Sequence, residues 1–156
     1  MKIKNLTSML IYVIGAELVG ALSALFTGSF SELFMKYNPP PLMPPAPVFP
    51  VVWAILYALM GFSAYLISES PDKAASKKAL TIYYAQLFLN FLWSIVFFRF
   101  EAFLAAAVIL IAMLILIVIM TVKFYRIKPL AAYLNIPYII WVTFAAYLNI
   151  ATVVIN

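Results

Sequence analysis

Aromatic and amide side chains recur every three or four residues in three apolar segments of the chain. This spacing places each set on one face of a helix. Indole and phenol rings offer stacking surfaces and amides bond polar edges, so the sets predict a site for a flat, mostly apolar molecule. The sets are Trp53, Tyr57 and Gly61; Gln86, Asn90, Trp93 and Phe97; and Tyr138, Trp141, Ala145 and Asn149.

A structural interpretation of the same residues competes with the binding site. Trp and Tyr form belts at membrane surfaces, and Asn and Gln join neighbouring helices. Gln86 and Asn90 lie about seven and eleven residues into their segment, which is roughly 10 to 16 Å deep at the helical rise. Unpaired amides are costly there, so each must meet the other, another helix or a ligand.

The residue types that are missing exclude most familiar catalytic sites. The chain has no Cys and no His, which excludes disulfides, thiolate nucleophiles, imidazole bases and His-ligated haem iron. We therefore expect no bound metal and no required cofactor. Glu17 is the only carboxylate well inside an apolar segment; it is either a functional group or a protonated side chain bonded within the protein.

Composition determines which elements position these residues. The 156 residues are 67% hydrophobic and 10% charged, with a mean hydropathy of +1.10, so we predict an integral membrane protein. We expect a single all-α domain, 1–156, built as a bundle of five transmembrane helices. The predicted spans are Leu6 to Phe26, Val48 to Ser68, Ala79 to Phe98, Phe103 to Val122, and Leu130 to Val154.

A proline-rich loop joins the first two spans. The stretch from Tyr37 to Trp53 holds seven of the ten prolines. Proline fixes φ and lacks an N–H, so this loop can cover a pocket at a lower entropic cost than a glycine-rich loop. The loop therefore predicts a lid over the site.

Charge predicts the orientation of the chain. Eight of the ten Lys and Arg residues lie on the side of the N-terminus, which predicts a cytoplasmic N-terminus and an outward-facing first loop. The net charge of +5 is dispersed between apolar runs, which favours anionic lipid over nucleic acid as its partner. The start, MKIKN, is unlike a mitochondrial transit peptide and favours a bacterial cytoplasmic membrane.

Small residues recur every four positions along the first span, at Ala16, Gly20, Ala24 and Gly28. Such a ridge lets two helix backbones approach closely. It packs either inside the monomer, which we expect, or against a second copy in a homodimer.

Three longer motifs resemble those of the translocator protein family, also called tryptophan-rich sensory proteins or peripheral benzodiazepine receptors. They are PPAPVFPVVWAILYALMG from Pro44 to Gly61, YYAQLFLNFLWSIVFF from Tyr83 to Phe98, and PYIIWVTFAAYLN from Pro137 to Asn149. The resemblance covers nearly the whole chain. Two positions depart from it. Pro47 stands where the family usually has an aromatic residue, and the tail after Asn149 lacks the Tyr and Arg of a proposed sterol-binding pattern.

The resemblance implies a pocket between helices under the first loop. The family's ligands are porphyrins, isoquinoline carboxamides, benzodiazepines and, in animal members, cholesterol. The pocket residues that it implies are Trp53, Tyr57, Gln86, Asn90, Trp93, Tyr138, Trp141, Ala145 and Leu148.

Three functions follow as hypotheses. The first is a membrane receptor or sensor for tetrapyrroles such as protoporphyrin IX and for drug-like aromatic ligands. The second is an enzyme that degrades porphyrin with light and oxygen, in which Trp53 and Trp141 act as the electron-rich groups beside it. The third is a porphyrin or sterol transporter, for which the sequence shows no inverted repeat and no nucleotide-binding motif.

Overall fold

The computed structural model describes residues 5–27 and 36–156. In these residues it contains six α-helices, and the third continues as a π-helical turn, Ile95–Arg99. Five helical segments are long and apolar enough to cross a membrane, the short α5 and α6 together forming the fifth. The predicted all-α, five-span fold is confirmed. The helices are α1 Leu6–Thr27, α2 Val48–Ser68, α3 Lys73–Ser94, α4 Phe103–Ile127, α5 Pro129–Tyr133 and α6 Ile136–Ile155.

The third helix begins six residues before the predicted span, at Lys73 instead of Ala79. The carboxylate of Asp72 accepts a hydrogen bond from the backbone N–H of Ala75 at 2.9 Å, which satisfies a donor that the first helical turn leaves free. Part of the connection between the predicted second and third spans is therefore helix. Because hydropathy detects only the apolar part of a helix, it missed this polar first turn.

Two prolines shape the end of the chain. Lys128, which precedes Pro129, is extended with φ −153° and ψ 103°, because a residue before proline avoids the helical region. This ends α4 at Ile127, five residues beyond the predicted Val122. The predicted fifth span is interrupted after Tyr133, and α6 begins at Ile136 with Pro137 in its first turn, where the missing N–H costs nothing.

Close packing of α1 on α2 depends on Gly61. A Cβ atom at this position would lie 2.6 Å from the Cα of Val13, so only glycine allows the two backbones to meet there. On the other side of the bundle, α4 packs against α3 and α6. Its inward face, which includes Leu110, Met113 and Ile117, is fully buried.

The proline-rich loop is fixed at one end of the bundle. Asn38 and Asn156 exchange two hydrogen bonds, of 2.9 Å and 3.2 Å, and the hydroxyl of Tyr147 donates to the carbonyl of Pro41 at 3.2 Å. These contacts join the loop to α6 and to the residue that follows it. The described part of the loop is therefore held at this end of the bundle, and its role as a lid stays a prediction.

An ion pair between Lys36 and Glu101 adds to this docking. The hydroxyl of Tyr37 also donates to Glu101, at 2.7 Å. The hydrogen bond with Lys36 lowers the pKa of the Glu101 carboxyl and raises the pKa of the Lys36 ammonium. Both charged forms are therefore favoured when the loop is docked.

Some sequence predictions fall on residues outside the described ranges. These are Lys2 and Lys4, which contribute to the predicted orientation, and Gly28, the last member of the small-residue ridge.

Candidate functional site

A cavity of about 570 Å³ lies between α1, α2, the end of α3 and α6, beside the start of α2 at the end of the proline-rich loop. Its volume is within the range of pockets that hold drug-sized molecules. Trp53, Tyr57, Trp93, Trp141 and Ala145, all predicted site residues, line it. The cavity thus contains all three tryptophans of the chain.

The aromatic walls are built around Trp53, one turn into α2. Its ring centroid lies 5.7 Å from that of Tyr57 and 6.0 Å from that of Trp93. On another wall, Phe49 meets Trp141 edge to face at 5.8 Å. Two groups of aromatic rings thus face one cavity, and flat surfaces of this kind favour flat, conjugated ligands.

The indole N–H groups of two tryptophans differ in their partners. Trp93 Nε1 donates to Asn149 Oδ1 at 3.2 Å. Trp141 Nε1 is buried and has no hydrogen-bond partner among residues 5–27 and 36–156. A buried donor without a partner is costly, so Trp141 is a candidate to bond an acceptor on a molecule in the cavity.

Two predicted amides lie behind the cavity wall and not in it. The hydroxyl of Tyr57 donates to Asn90 Oδ1 at 2.7 Å, and Asn90 Nδ2 donates to the hydroxyl of Tyr138 at 2.9 Å. That hydroxyl in turn donates to Gln86 Oε1 at 2.7 Å. Gln86 and Asn90 are 0% and 1% exposed. We call these four residues the tyrosine–amide network; it joins α2, α3 and α6.

The remaining predicted residues lie outside the cavity lining. Tyr138 is fully buried within the network, and Leu148 is buried on α6. A direct ligand contact by Gln86, Asn90, Tyr138 or Leu148 stays a prediction. In this structure, Tyr57 alone belongs both to the cavity wall and to the network.

Sequence reasoning missed most of the cavity wall that α1 forms. Helix α1 contributes Glu17, Gly20, Ala21, Ser23, Ala24 and Thr27 to the lining. The small-residue ridge was the available signal, because two of its members, Gly20 and Ala24, face the cavity. A Cβ atom at Gly20 would lie 2.6 Å from Cδ2 of Tyr57, so the ridge makes room for an aromatic ring. Within the described ranges no three Asp or Glu side chains cluster as a metal site.

Comparison with known proteins gives a consistent family match. The TspO/MBR family profile matches residues 11–155. A tryptophan-rich protein TspO of Archaeoglobus fulgidus is 31% identical over 153 residues, covering 97% of this chain and 99% of the relative. The protein CrtK of Rhodobacter capsulatus is 29% identical over 147 residues, 93% of this chain and 90% of the relative. The human translocator protein is 35% identical over 108 residues, 68% of this chain and 64% of the relative.

Proposed function

Because the chain belongs to the TspO/MBR family of membrane proteins, we propose that it is a receptor or sensor that binds tetrapyrroles, such as protoporphyrin IX, and drug-like aromatic molecules in the cavity beside the proline-rich loop. The observation that carries the proposal is the cavity of about 570 Å³ whose walls contain all three tryptophans. Aromatic walls with few polar groups match the general character of small-molecule sites.

The walls suggest how binding would occur. Trp53 and Trp141 lie on two different helices that face the cavity, so a flat ligand between them gains stacking contact with both rings. The free N–H of Trp141 gives the ligand one directional hydrogen bond. Because the chain has no His, this binding does not use imidazole ligation of iron, and free-base porphyrin should compete well with haem.

The experiment is a titration of the purified protein in detergent with protoporphyrin IX in the dark, followed by tryptophan fluorescence. We expect saturable quenching in the wild type. Trp93 remains as the reporter when Trp53 and Trp141 are both replaced by leucine, and in that variant we expect roughly a 100-fold loss of affinity from two lost stacking contacts. A matched control, Tyr125→Leu, removes an exposed aromatic residue outside the cavity. Unchanged affinity in the double variant would contradict the proposal.

A second candidate function is oxidation of the bound porphyrin by dioxygen under light. It is favoured by the 6.0 Å separation of the Trp53 and Trp93 rings, which both line the cavity. The porphyrin would absorb the light and be oxidised, dioxygen would be the oxidant, and the indoles would stabilise or quench reactive intermediates. Loss of porphyrin absorbance that requires light, oxygen and Trp53 would support it, and equal loss with the Trp53→Leu variant would contradict it.

The localisation proposed is a bacterial cytoplasmic membrane with the proline-rich loop outside. The chain has no Cys, so a single introduced cysteine can report its side of the membrane. Leu42, in the loop, is 78% exposed. We expect Leu42→Cys in intact cells to react with a maleimide that does not cross membranes, and Ser70→Cys, at the opposite end of α2, to react only after lysis. The reverse pattern would overturn the orientation.

A further inference from the structure

Glu17 places a carboxyl group in the wall of the cavity, about halfway along α1. At the helical rise it lies near the middle of the membrane, whereas every Lys and Arg of the chain lies near the end of a predicted span or in a connection. Among the described residues an ion pair joins Lys36 to Glu101, and Glu17 takes part in none. The protein therefore gives this acid no cationic partner in the part that the structure describes.

The other contacts of Glu17 do not replace such a partner. The backbone of Ala58, in the middle of α2, lies beside its carboxyl. The N–H there already serves the helix. A carboxylate inside a membrane is expensive unless it is paired, and the open side of this carboxyl is the cavity.

Trp141 and Glu17 lie at different depths in the cavity wall. Trp141, with its free N–H, contacts Phe49 at the loop end of α2. Glu17 lies level with Ala58, nine residues further along the same helix. Nine residues of helix span roughly 13 Å. The cavity wall thus has an indole near the loop, an acidic residue at depth, and the rings of Trp53 and Tyr57 between them.

We propose that Glu17 makes the deep end of this cavity selective for a protonated amine carried on an aromatic or polycyclic molecule. The inference rests on the proposed function, since it names the chemistry of a ligand in the same cavity. An ammonium group there pairs with the carboxylate, and the faces of Tyr57 and Trp53 add cation–π attraction. Acidic groups on a ligand, such as the carboxylates of a porphyrin, are repelled from the deep end and face the loop.

The test uses two fluorescent probes that differ in one group. 1-Pyrenemethylamine is cationic at neutral pH and 1-pyrenemethanol is neutral. Binding to the full chain in nanodiscs of uncharged phosphatidylcholine is followed by energy transfer from tryptophan to pyrene, with empty nanodiscs as the partition blank. We expect the wild type to bind the amine roughly tenfold more tightly than the alcohol, the size of one charged hydrogen bond.

Two variants locate the preference. Glu17→Gln keeps the shape but removes the charge, and we expect it to bind both probes with the affinity of the wild type for the alcohol. Glu69→Gln removes the same charge outside the cavity and should keep the preference. The wild-type comparison needs no variant, so it stands even if Glu17→Gln fails to fold.

The outcomes separate this inference from the proposed function. Equal saturable binding of both probes by the wild type, or an amine preference that survives Glu17→Gln, overturns the role of Glu17 and leaves the cavity as a binding site. No saturable binding of either probe, together with no saturable binding of protoporphyrin IX, overturns both proposals.

Discussion

The tyrosine–amide network and the cavity wall contain similar side chains, but their polar groups differ in hydrogen bonding. In the network, Asn90 bonds two tyrosine hydroxyls, and a third bond joins Tyr138 to Gln86. In the wall, the N–H of Trp141 has no partner among the described residues. A satisfied polar group in a membrane protein stabilises contacts between helices, whereas an unsatisfied one beside a cavity is available to a ligand.

The network and the cavity wall therefore contribute to different properties, stability and ligand affinity. The network joins α2, α3 and α6 behind the cavity, so its loss should be measured first as a loss of stability. The wall faces open space, so its loss should be measured first as a loss of affinity. Substitutions in each region therefore test whether stability and affinity change separately.

Asn90→Leu should have the largest effect. It leaves the buried hydroxyl of Tyr57 without its acceptor and removes the donor to the hydroxyl of Tyr138, which keeps its bond to Gln86. We expect a loss of about 2 to 4 kcal/mol in the free energy of unfolding. Unfolding by sodium dodecyl sulfate, followed by circular dichroism, measures it. Leu89→Ala, at a neighbouring half-buried position of the same helix, controls for general damage to α3. If Asn90→Leu unfolds like the wild type, the network does not stabilise the bundle.

Tyr57→Phe tests the residue that belongs to both regions. The ring stays in the cavity wall and only the bond to Asn90 Oδ1 is lost. We expect a loss of about 1 to 2 kcal/mol in stability and protoporphyrin affinity within about twofold of the wild type, roughly 0.4 kcal/mol. A large loss of affinity with unchanged stability would show that the hydroxyl acts on the ligand and not on the bundle.

Trp141→Phe should show the reverse pattern. The variant keeps an aromatic ring but removes a donor that bonds nothing among the described residues, so stability should stay within about 0.5 kcal/mol of the wild type. Affinity for protoporphyrin IX should fall roughly fivefold, the value of one hydrogen bond. Trp93→Phe is the comparison, because it breaks a bond to Asn149 and should lower stability. Equal effects of the two variants would show that a bonded and an unbonded indole N–H in the cavity wall do not differ in role.

The smallest effect concerns the docking of the loop and its pH dependence. Because docking lowers the pKa of Glu101, its contribution to the stability of the docked loop is fully present above the ordinary carboxyl pKa. That contribution is lost as pH falls through the lowered pKa. Because docking raises the pKa of Lys36, its contribution to the stability of the docked loop is fully present below the ordinary lysine pKa. That contribution is lost as pH rises through the raised pKa. We expect a fluorophore on Leu42→Cys to report a docked loop at neutral pH and release in acid. In Glu101→Gln the acid transition should disappear; an unchanged transition would mean that another group controls docking.

The sequence predicted the elements better than the contacts. Hydropathy locates a span because about 20 apolar residues are needed to cross the bilayer, so five spans were predictable. It does not detect a polar first turn such as that of α3, which depends on the cap at Asp72. It also does not detect the break before α6, because Asn135 is a single polar residue among apolar ones and hydropathy does not register the proline in the first turn of α6.

The site was predictable to the level of helix faces. Helical spacing placed Trp53 with Tyr57 on one face and Gln86 with Asn90 on another, and the structure keeps both pairs. Spacing within one helix carries no information about the partner across the bundle. The sequence therefore could not predict the bond from Asn90 to Tyr138 or the absence of a described partner for Trp141. For the same reason the sequence indicated that Glu17 was unusual but not that it faces the aromatic wall.

The response of the three indole N–H groups to a ligand shows whether the cavity is a binding site. Nitrogen-15 labelling of the tryptophans gives three indole resonances, and all three residues line the cavity. On titration with protoporphyrin IX in the dark, we expect saturable shifts of all three, because a bound macrocycle lies within range of each ring. Three resonances that stay unchanged at saturating ligand would contradict a binding site in this cavity.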